Sequence, residues 1–506
     1  MKKQSDSKHR RSVSAEFDQD FSATAHGGAT LVEKVLRNLG ISRTIKKYLP
    51  KRSKAALYSM EDVVGTLIGA LLVGGRGIGA IDLFRKDPLL SEIFDLDESA
   101  PSPPTTYRTL CELSGLMERN IEDAYETAKG PVPPRLDMFG QEKTESCLHR
   151  IVPETPEKAL EDNMDSLNVF GSKIAIQCGK RLPVSSLCTN HWYTIFGDAT
   201  DLEVDGQCFD AARIGRNGKK ILRWQTLMLG GILVAQQLHE GNIDEGISMP
   251  RLVEDAREVV REIIGANKSV LALLDAAYFE KQVIEPLSFI NHWDFIVCAN
   301  QQRCCLERIA QERPDNQWED SGADAARGWS CSQVCCFTHE PKGWTAPVTI
   351  IARRWQTEGE IEGIWHYSFI ATRIEPGAMP KNLIEKYGYC EALWMLYSTK
   401  QGHENHYKTA LRDLGLHHPP SCRLGINQAF YTIASAAANI AMVLRYRVVP
   451  KAERGITLWR LRELYFRISG KIRRGSRYIH VILSGGNVDA KRQVLWRAAF
   501  AEAALI

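Results

Sequence analysis

Residues 192–201 read WYTIFGDATD, and the fold follows from how they are read. Trp192 to Gly197 is a short apolar run that leads straight into a carboxylate, Asp198. A run of that length, bounded by a polar stop, is the pattern of a buried strand. Moving outward, Asp201 to Cys208 reads as a second strand. Arg223 to Leu238 is apolar and β-rich, with Gly230-Gly231 marking a bend or bulge. Pro250 to Ile264 carries Leu252, Val259, Val260 and Ile263 on one face and charges on the other, which predicts a helix. Val270 to Leu274 is another apolar run, and it ends in Asp275. Phe279 to Phe289 reads as helix and Phe295 to Ala299 as strand. Three strands, helix, strand, helix, strand is the order of an open α/β sheet.

Beyond residue 300 the alternation stops. The runs Gln333–Thr338, Ala346–Arg353 and Ile364–Thr372 are separated by Gly and Pro, which predicts an all-β insertion over 301–390. The chain reads as helical again after Tyr387, with a long helix over Glu391 to Leu414, broken near Gly402, and another over 424–447. Leu424 to Leu444 has 21 uncharged residues, formally enough to span a bilayer. Asn427, Gln428, Thr432, Ser435 and Asn439 lie within it, so a buried helix is the better reading and no membrane is expected. Upstream, Leu31, Val35, Leu36 and Leu39 recur at helical spacing and stop at Gly40. A helix over Met60–Val73 starts at a Ser59 cap, another short one covers Ile78–Arg85, and Pro104 opens a third over Thr105–Met117. Short helices with tight connectors suit a helix-turn-helix DNA-binding module, and equally any small helical bundle. The resulting division is a disordered basic N-terminus (1–26), a helical region (27–130), a proline-broken linker or insert (131–190), a core in two parts (191–300 and 391–450) around the insertion, and a basic helical C-terminal region (451–506).

With 44% hydrophobic and 25% charged residues, the chain of 506 is neither disordered nor fibrous. Its net charge of +3 is unevenly spread: residues 1–60 carry a net of +8 and residues 445–480 a net of +9. Basic ends around an acidic middle point to a polyanionic partner, or to two solvated basic segments. Thirteen cysteines, an odd number, with no apolar stretch in residues 1–20, lead to the expectation of free thiols and a cytoplasmic location. Cys304-Cys305 and Cys331, Cys335, Cys336, His339 raise zinc, but their spacing is not that of a CxxC pair, and cysteines packed on strands are the preferred reading.

Asp198 and Asp275 each follow an apolar strand. Strand ends at one edge of an open sheet converge, and two carboxylates there suit a hard divalent cation. An Asp after a strand is also an ordinary turn residue. Residues 397–408 read YSTKQGHENHYK. Tyr397, Lys400, Glu404 and Lys408 are spaced by three, four and four residues, along one helical face. An acid flanked by cations can complete a metal site and hold phosphate beside it, or can be a solvated face with i,i+4 ion pairs.

These segments together resemble the Asp–Asp–Glu cut-and-paste transposases of bacterial insertion sequences. The similarity is to the subgroup with a Tyr-x2-Arg-x3-Glu-x6-Lys signature and a β-rich insertion before the Glu. GDATD carries Asp198, LLDAAYF carries Asp275 77 residues later, and YSTKQGHENHYK carries Glu404 129 residues after that. Residues 67–90 (LIGALLVGGRGIGAIDLFRKDPLL), 103–110 (PPTTYRTL), 404–416 (ENHYKTALRDLGL) and 427–444 (NQAFYTIASAAANIAMVL) extend the likeness. The signature Arg is Lys400 here, and the final Lys falls at Leu411, with Lys408 and Arg412 nearby. Lys keeps the charge but not the bidentate fork.

The resemblance implies an RNase H-like catalytic core. It implies that Asp198, Asp275 and Glu404 hold two Mg²⁺ ions, with Mn²⁺ able to substitute, for DNA cleavage and 3′-OH transfer. Tyr397, Lys400, Lys408 and Arg412 then contact phosphates near the cut. The N-terminal helices read the terminal inverted repeats through Arg108 and Thr106, with Lys46, Lys47, Lys51, Arg52 and Lys54 on phosphates. The basic tail (Arg460, Arg462, Arg467, Lys471, Arg473, Arg474, Arg477) binds DNA or supports a homodimer on DNA, in a bacterial cytoplasm at the nucleoid. A transposase-derived binding protein without cleavage and a metal-dependent nuclease are the alternatives.

Overall fold

The structure is a computed structural model. It describes residues 23–52, 56–96, 100–114, 116–120, 149–153, 158–189, 191–205, 209–215, 218–299, 305–322, 324, 327–361, 363–475, 479–486 and 488–506. For 116–120, 149–153, 158–162, 245 and 403–409 it describes the backbone alone.

The opening stretch is helical, and its longer helices are α1 (Thr30–Leu39), α2 (Ile41–Tyr48), α3 (Met60–Val73) and α4 (Pro103–Leu113), with two short helices, Asp82–Lys86 and Pro88–Ile93, between the last two. α1 buries Leu31, Val32, Val35 and Leu39, and ends because Gly40 takes φ 69, a left-handed conformation that frees it from the helix. α3 begins in a capping box: the Ser59 side chain accepts from the Asp62 amide and the Asp62 carboxylate accepts from the Ser59 amide. It is apolar on every face and buried almost throughout. A longer helix, α5 (Lys158–Gly179), follows within the stretch expected as linker.

The next elements are β1 (Trp192–Glu203), β2 (Lys220–Leu229), β3 (Ile232–Glu240), α6 (Glu245–Ile264), β4 (Val270–Leu274), α7 (Lys281–Ser288) and β5 (Trp293–Cys298). Then come β6 (Trp329–His339), β7 (Val348–Thr357), β8 (His366–Thr372), α8 (Tyr389–Ser398), α9 (Lys400–Asp413) and α10 (Leu424–Val443). The chain closes with a hairpin, β9 (Gly470–Arg474) and β10 (Ile479–Leu483), and α11 (Ala490–Ala503).

β1, β2 and β3 form an antiparallel meander, from Ile195↔Leu229 to Glu203↔Ile221 and from Leu222↔Glu240 to Leu229↔Ile232. β4 pairs parallel to β1, and β5 parallel to β4. The strand order on this side is therefore β3-β2-β1-β4-β5. The strands expected as an insertion continue the same sheet: β8 pairs antiparallel to β5, then β7 and β6 follow outward. The free edge of β5 is what they cover, so no edge is left exposed beside the parallel strands.

Three expectations need amending. WYTIFGDATD and the residues after it are one strand, not two, because pairing with β2 carries β1 past Asp198 to Glu203. The long helix breaks at Thr399 rather than Gly402. The basic tail is not all helical: alternating Lys471-Ile472-Arg473 and Ile479-His480-Val481 form the β9–β10 hairpin.

The sheet separates two apolar clusters. On one face Trp192, Phe196, Leu271, Leu273, Ile296 and Ile351 pack against Cys390, Leu393, Trp394 and Leu396 of α8. The other face belongs to a much larger cluster that takes in α1, α3, α5, α6 and α10. Among the described residues no single helix is long and apolar enough to cross a membrane.

Candidate active site

The two aspartates arrive side by side because β1 and β4 are parallel neighbours in fixed register. Phe196 pairs with Leu273, and two residues further along each chain stand Asp198 and Asp275. β4 ends at Leu274, whereas β1 continues, so the carboxylates sit where the two paths part. Both side chains are partly exposed. The Ala199 amide donates to Asp198 Oδ1 at 2.8 Å. Gly197, just below, has no room for a side chain: a Cβ there would come within 2.6 Å of Leu274 Cδ2 and 3.0 Å of Met249 Cε. The floor beneath Asp198 is thus close-packed and apolar.

α8 and α9 close the site from the opposite face of the sheet. Lys400, on the first turn of α9, places its Nζ 2.9 Å from Asp275 Oδ1, and its side chain is only 11% exposed. Tyr397, near the end of α8, donates its hydroxyl to the Leu274 carbonyl at 3.3 Å. Burial pushes the Tyr397 phenol far above its ordinary range, and the charges of Asp275 and Asp198 add to this, so one ring senses both carboxylates. Burial likewise raises the Cys298 thiol, which is hydrogen-bonded to Tyr397. Of the residues expected to touch phosphate, Tyr397 and Lys400 are therefore already engaged with the end of β4. Glu404 and Lys408 lie on α9, and their side chains are outside the described set. Arg412 is exposed near the end of that helix, and Leu411 is buried.

A cleft of about 430 Å³ opens beside Asp275 and Lys400. Arg327, Arg353 and Trp394 line it together with Tyr397. Arg353 is buried on β7, pairs with Glu391 of α8, and stacks over Trp394 at 4.8 Å. Its Nε and the Trp394 Nε1 are buried with no hydrogen-bond partner among the described residues. These residues were not legible as site residues. The one available signal was Arg353-Arg354 in the middle of an apolar strand: successive positions face opposite sides, so one of the two must enter the core. Both do, and Arg354 lies between Trp318 and Trp365, 4.3 Å from each ring.

The N-terminal candidates divide. Arg108 is exposed on α4. Thr106 is not available for a base contact: it is fully buried and its hydroxyl donates to the Ser102 carbonyl at 3.0 Å. Its helical spacing to Thr109, Leu110 and Leu113 puts it on the inward stripe. Lys46, Lys47 and Lys51 are exposed, with Lys46 paired to Glu61 at 2.5 Å. Arg52 is held by both oxygens of Glu112, at 2.8 and 2.9 Å. In the tail, Arg460, Lys471 and Arg473 are exposed, Arg467 pairs with Glu463 and Arg474 with Glu92. Arg462 is 3% exposed and serves packing instead. Lys54, Arg477 and Cys304 lie outside the described residues.

Asp198 and Asp275 fit a hard divalent cation in their donor chemistry, as adjacent, partly exposed carboxylates. The ammonium of Lys400 already places one positive charge against Asp275. No group of three His, Cys, Asp or Glu side chains set to hold a metal occurs among the described residues, Glu404 being outside them. Cys335 and Cys336 point to opposite faces of β6, one buried and one exposed.

No family model matches the sequence, and no curated protein matches it. Among solved structures, the chain is similar to the cryo-EM structure of a piggyBac transposase synaptic complex with hairpin DNA. The identity is 12% and the TM-score 0.44, over 86% of this chain and 78% of that chain.

Proposed function

We propose that the protein is a DNA transposase that binds the terminal inverted repeats of a bacterial insertion sequence, cleaves its ends and joins the freed 3′-OH to target DNA. The observation that carries this reading is the placement of Asp198 and Asp275 side by side on parallel neighbours β1 and β4, under the helix of the third motif. The strand order β3-β2-β1-β4-β5, antiparallel in its first three members and parallel in its last three, supports an RNase H-like core. α9 sets position 404 one helical turn beyond Lys400, which already reaches Asp275. Asp198, Asp275 and Glu404 are accordingly the residues that would hold two Mg²⁺ ions, or Mn²⁺ in their place. Bound there, the metal supplies charge neutralisation at phosphorus and an activated water or 3′-hydroxyl.

The protein's own residues prepare the rest. Tyr397 anchors the end of β4 and so fixes Asp275. Lys400 neutralises Asp275, and its ammonium would be free to pair with phosphate if a metal ion were held by the carboxylates. Arg327 and Lys400 line the adjacent cleft and would offer contacts to a nucleic-acid phosphate, Arg353 there being paired with Glu391. The exposed lysines of α2 and the β9–β10 hairpin offer phosphate contacts at a distance, and a homodimer pairs the two ends at the nucleoid.

The Lys400–Asp275 pair also favours a second reading, a protein that binds repeats without cutting, since a carboxylate already neutralised need not recruit metal. A labelled duplex carrying the element's end, incubated with Mg²⁺, separates the two. Nicked and joined products that vanish in Asp275→Asn and Glu404→Ala are expected. Salt-sensitive binding with no cleavage by the unaltered protein would establish the second reading and sink the first.

A further inference from the structure

α10 lies along the edge of β3 that faces away from β2, and meets it rung by rung. Gln428, Thr432, Ser435 and Asn439 are spaced by four, three and four residues, so they share one face of the helix. Gln428 accepts from the Leu238 amide, Thr432 accepts from Gln236, and Asn439 holds both backbone groups of Leu233. Ser435 breaks the series: it is 5% exposed, and its hydroxyl has no hydrogen-bond partner among the described residues. The strand leaves its register at the same level. Leu227 pairs with Ala235 and Met228 with Leu233, so Val234 is a bulge in β3. A buried hydroxyl without a partner carries a desolvation cost, which a bound group can relieve.

Ser435, Val234 and Ala235 border a groove of about 590 Å³ between α5 and α6. That volume suits a small organic ligand. The groove is closed at one end, where the two helices touch. A Cβ on Gly179 would come within 2.6 Å of Ile263 Cδ1, and Lys180 pairs with Glu262 at 3.3 Å. Val169, Ile176 and Val259 make its walls apolar. Its rim is acidic, with five carboxylates, among them Asp165, Asp255 and Glu258, against Lys173 and Arg251. Glu254 and Glu258 pair with Arg257 and Arg261 on the exposed face of α6, contacts that solvent weakens. Among the described residues no three of these carboxylates are set to hold a metal ion. The negative charge is strung out instead: Glu254, Glu258 and Glu262 follow one another along α6 at intervals of about 6 Å.

We propose that this groove binds a linear aliphatic polyamine. Ammonium groups separated by three or four methylenes repeat at an interval close to that of the glutamates, and the methylene stems suit the apolar walls. One amine N–H would donate to the Ser435 hydroxyl and supply the missing rung. α5, α6 and α10 pack on the sheet face opposite α8, so the site is separate from Asp198 and Asp275 and stands whatever they do.

The test is isothermal titration calorimetry of the full chain, free of nucleic acid, with spermidine. One saturable site is expected. Ser435→Ala, which removes only the hydroxyl, should weaken it roughly ten-fold. Asp255→Asn combined with Glu258→Gln, surface changes whose fold circular dichroism checks, should weaken it by at least as much. Hexaamminecobalt(III) has the charge of spermidine but no methylene chain, and should fail to displace it. Absence of saturable binding would overturn the proposal. So would an affinity unchanged in Ser435→Ala, which would leave the hydroxyl to water. Full displacement by hexaamminecobalt(III) would overturn it too, reducing the effect to screening of exposed acids.

Discussion

His239 sits within β3, opposite Arg223 of β2, and is 8% exposed. Burial brings its imidazole down to about 4, and its Nε2 has no hydrogen-bond partner among the described residues. The unfolded chain takes up this proton near pH 6.5. Stability from the neutral ring is therefore complete above about 6.5 and declines as pH falls towards the folded value, because the unfolded state binds the proton first. A loss of about 2–3 kcal/mol between those limits is expected. Urea midpoints at about pH 7.5 and about pH 5 should differ less in His239→Gln than in the unaltered protein, and an equal difference would refute the assignment. At this scale the sequence exposes chemistry but not surroundings. Asp198 and Asp275 were legible because an apolar run ending in a carboxylate is a local pattern. Arg353 was not, since a charged residue on a strand reads as solvent-facing until the opposite helix is known. Thr106 stood in between, because its inward position follows from helical spacing with Leu110 and Leu113.

The polar residues of α10 show what an element needs from its neighbours. Asn427, Gln428, Thr432, Ser435 and Asn439 argue against a membrane span, yet they are buried on a helix buried nearly all round. β3 is the reason. One of its edges is paired to β2, and the other presents amides and carbonyls that must be satisfied. Asn439 accepts from the Leu233 amide at 2.8 Å and donates to the Leu233 carbonyl at 3.0 Å. Gln428 accepts from the Leu238 amide at 2.6 Å, and Gln236 donates to Thr432 at 2.8 Å. The helix thus seals the sheet edge with side-chain amides in place of another strand. Asn439→Leu, which keeps the branching of the side chain but removes both polar atoms, should cost about 2–4 kcal/mol, because both Leu233 groups are left buried and unpaired. Guanidinium denaturation measures it, and a cost under about 0.5 kcal/mol would mean that the edge finds water instead. The composition of α10 was legible from the sequence. The reason for it was not, because its partners lie some two hundred residues upstream.

Across the whole molecule the described residues of the two ends pack together. Thr24 bridges to Gly470, Asn38 donates to the Ala503 carbonyl at 2.8 Å, and Arg474 is held by both oxygens of Glu92. Arg462 is the central tie. Its guanidinium donates to the carbonyls of Leu71 and Leu72 at the end of α3, and to that of Asp413 at the end of α9 at 2.9 Å. Helix ends leave carbonyls without intrahelical partners, and one planar cation here serves two of them. Arg462→Ala should destabilise the protein by about 3 kcal/mol or more, with Arg462→Lys recovering only part of the loss. Amide hydrogen exchange should speed up at the last turn of α3 while β1 and β4 keep their protection, and unchanged exchange there would count against the tie. What the sequence by itself determined was local: the apolar runs that became β1 and β4, the caps of α1 and α3, the two carboxylates, and the charge at both ends. Only the tertiary structure decided which cations reach solvent, that the expected insertion extends the sheet, and that the first and last segments share a core. The physical reason is range. Periodicity and capping act within a few residues, whereas burial and hydrogen-bond satisfaction are set by groups that meet only after the chain has folded back on itself, as Thr24 meets Gly470.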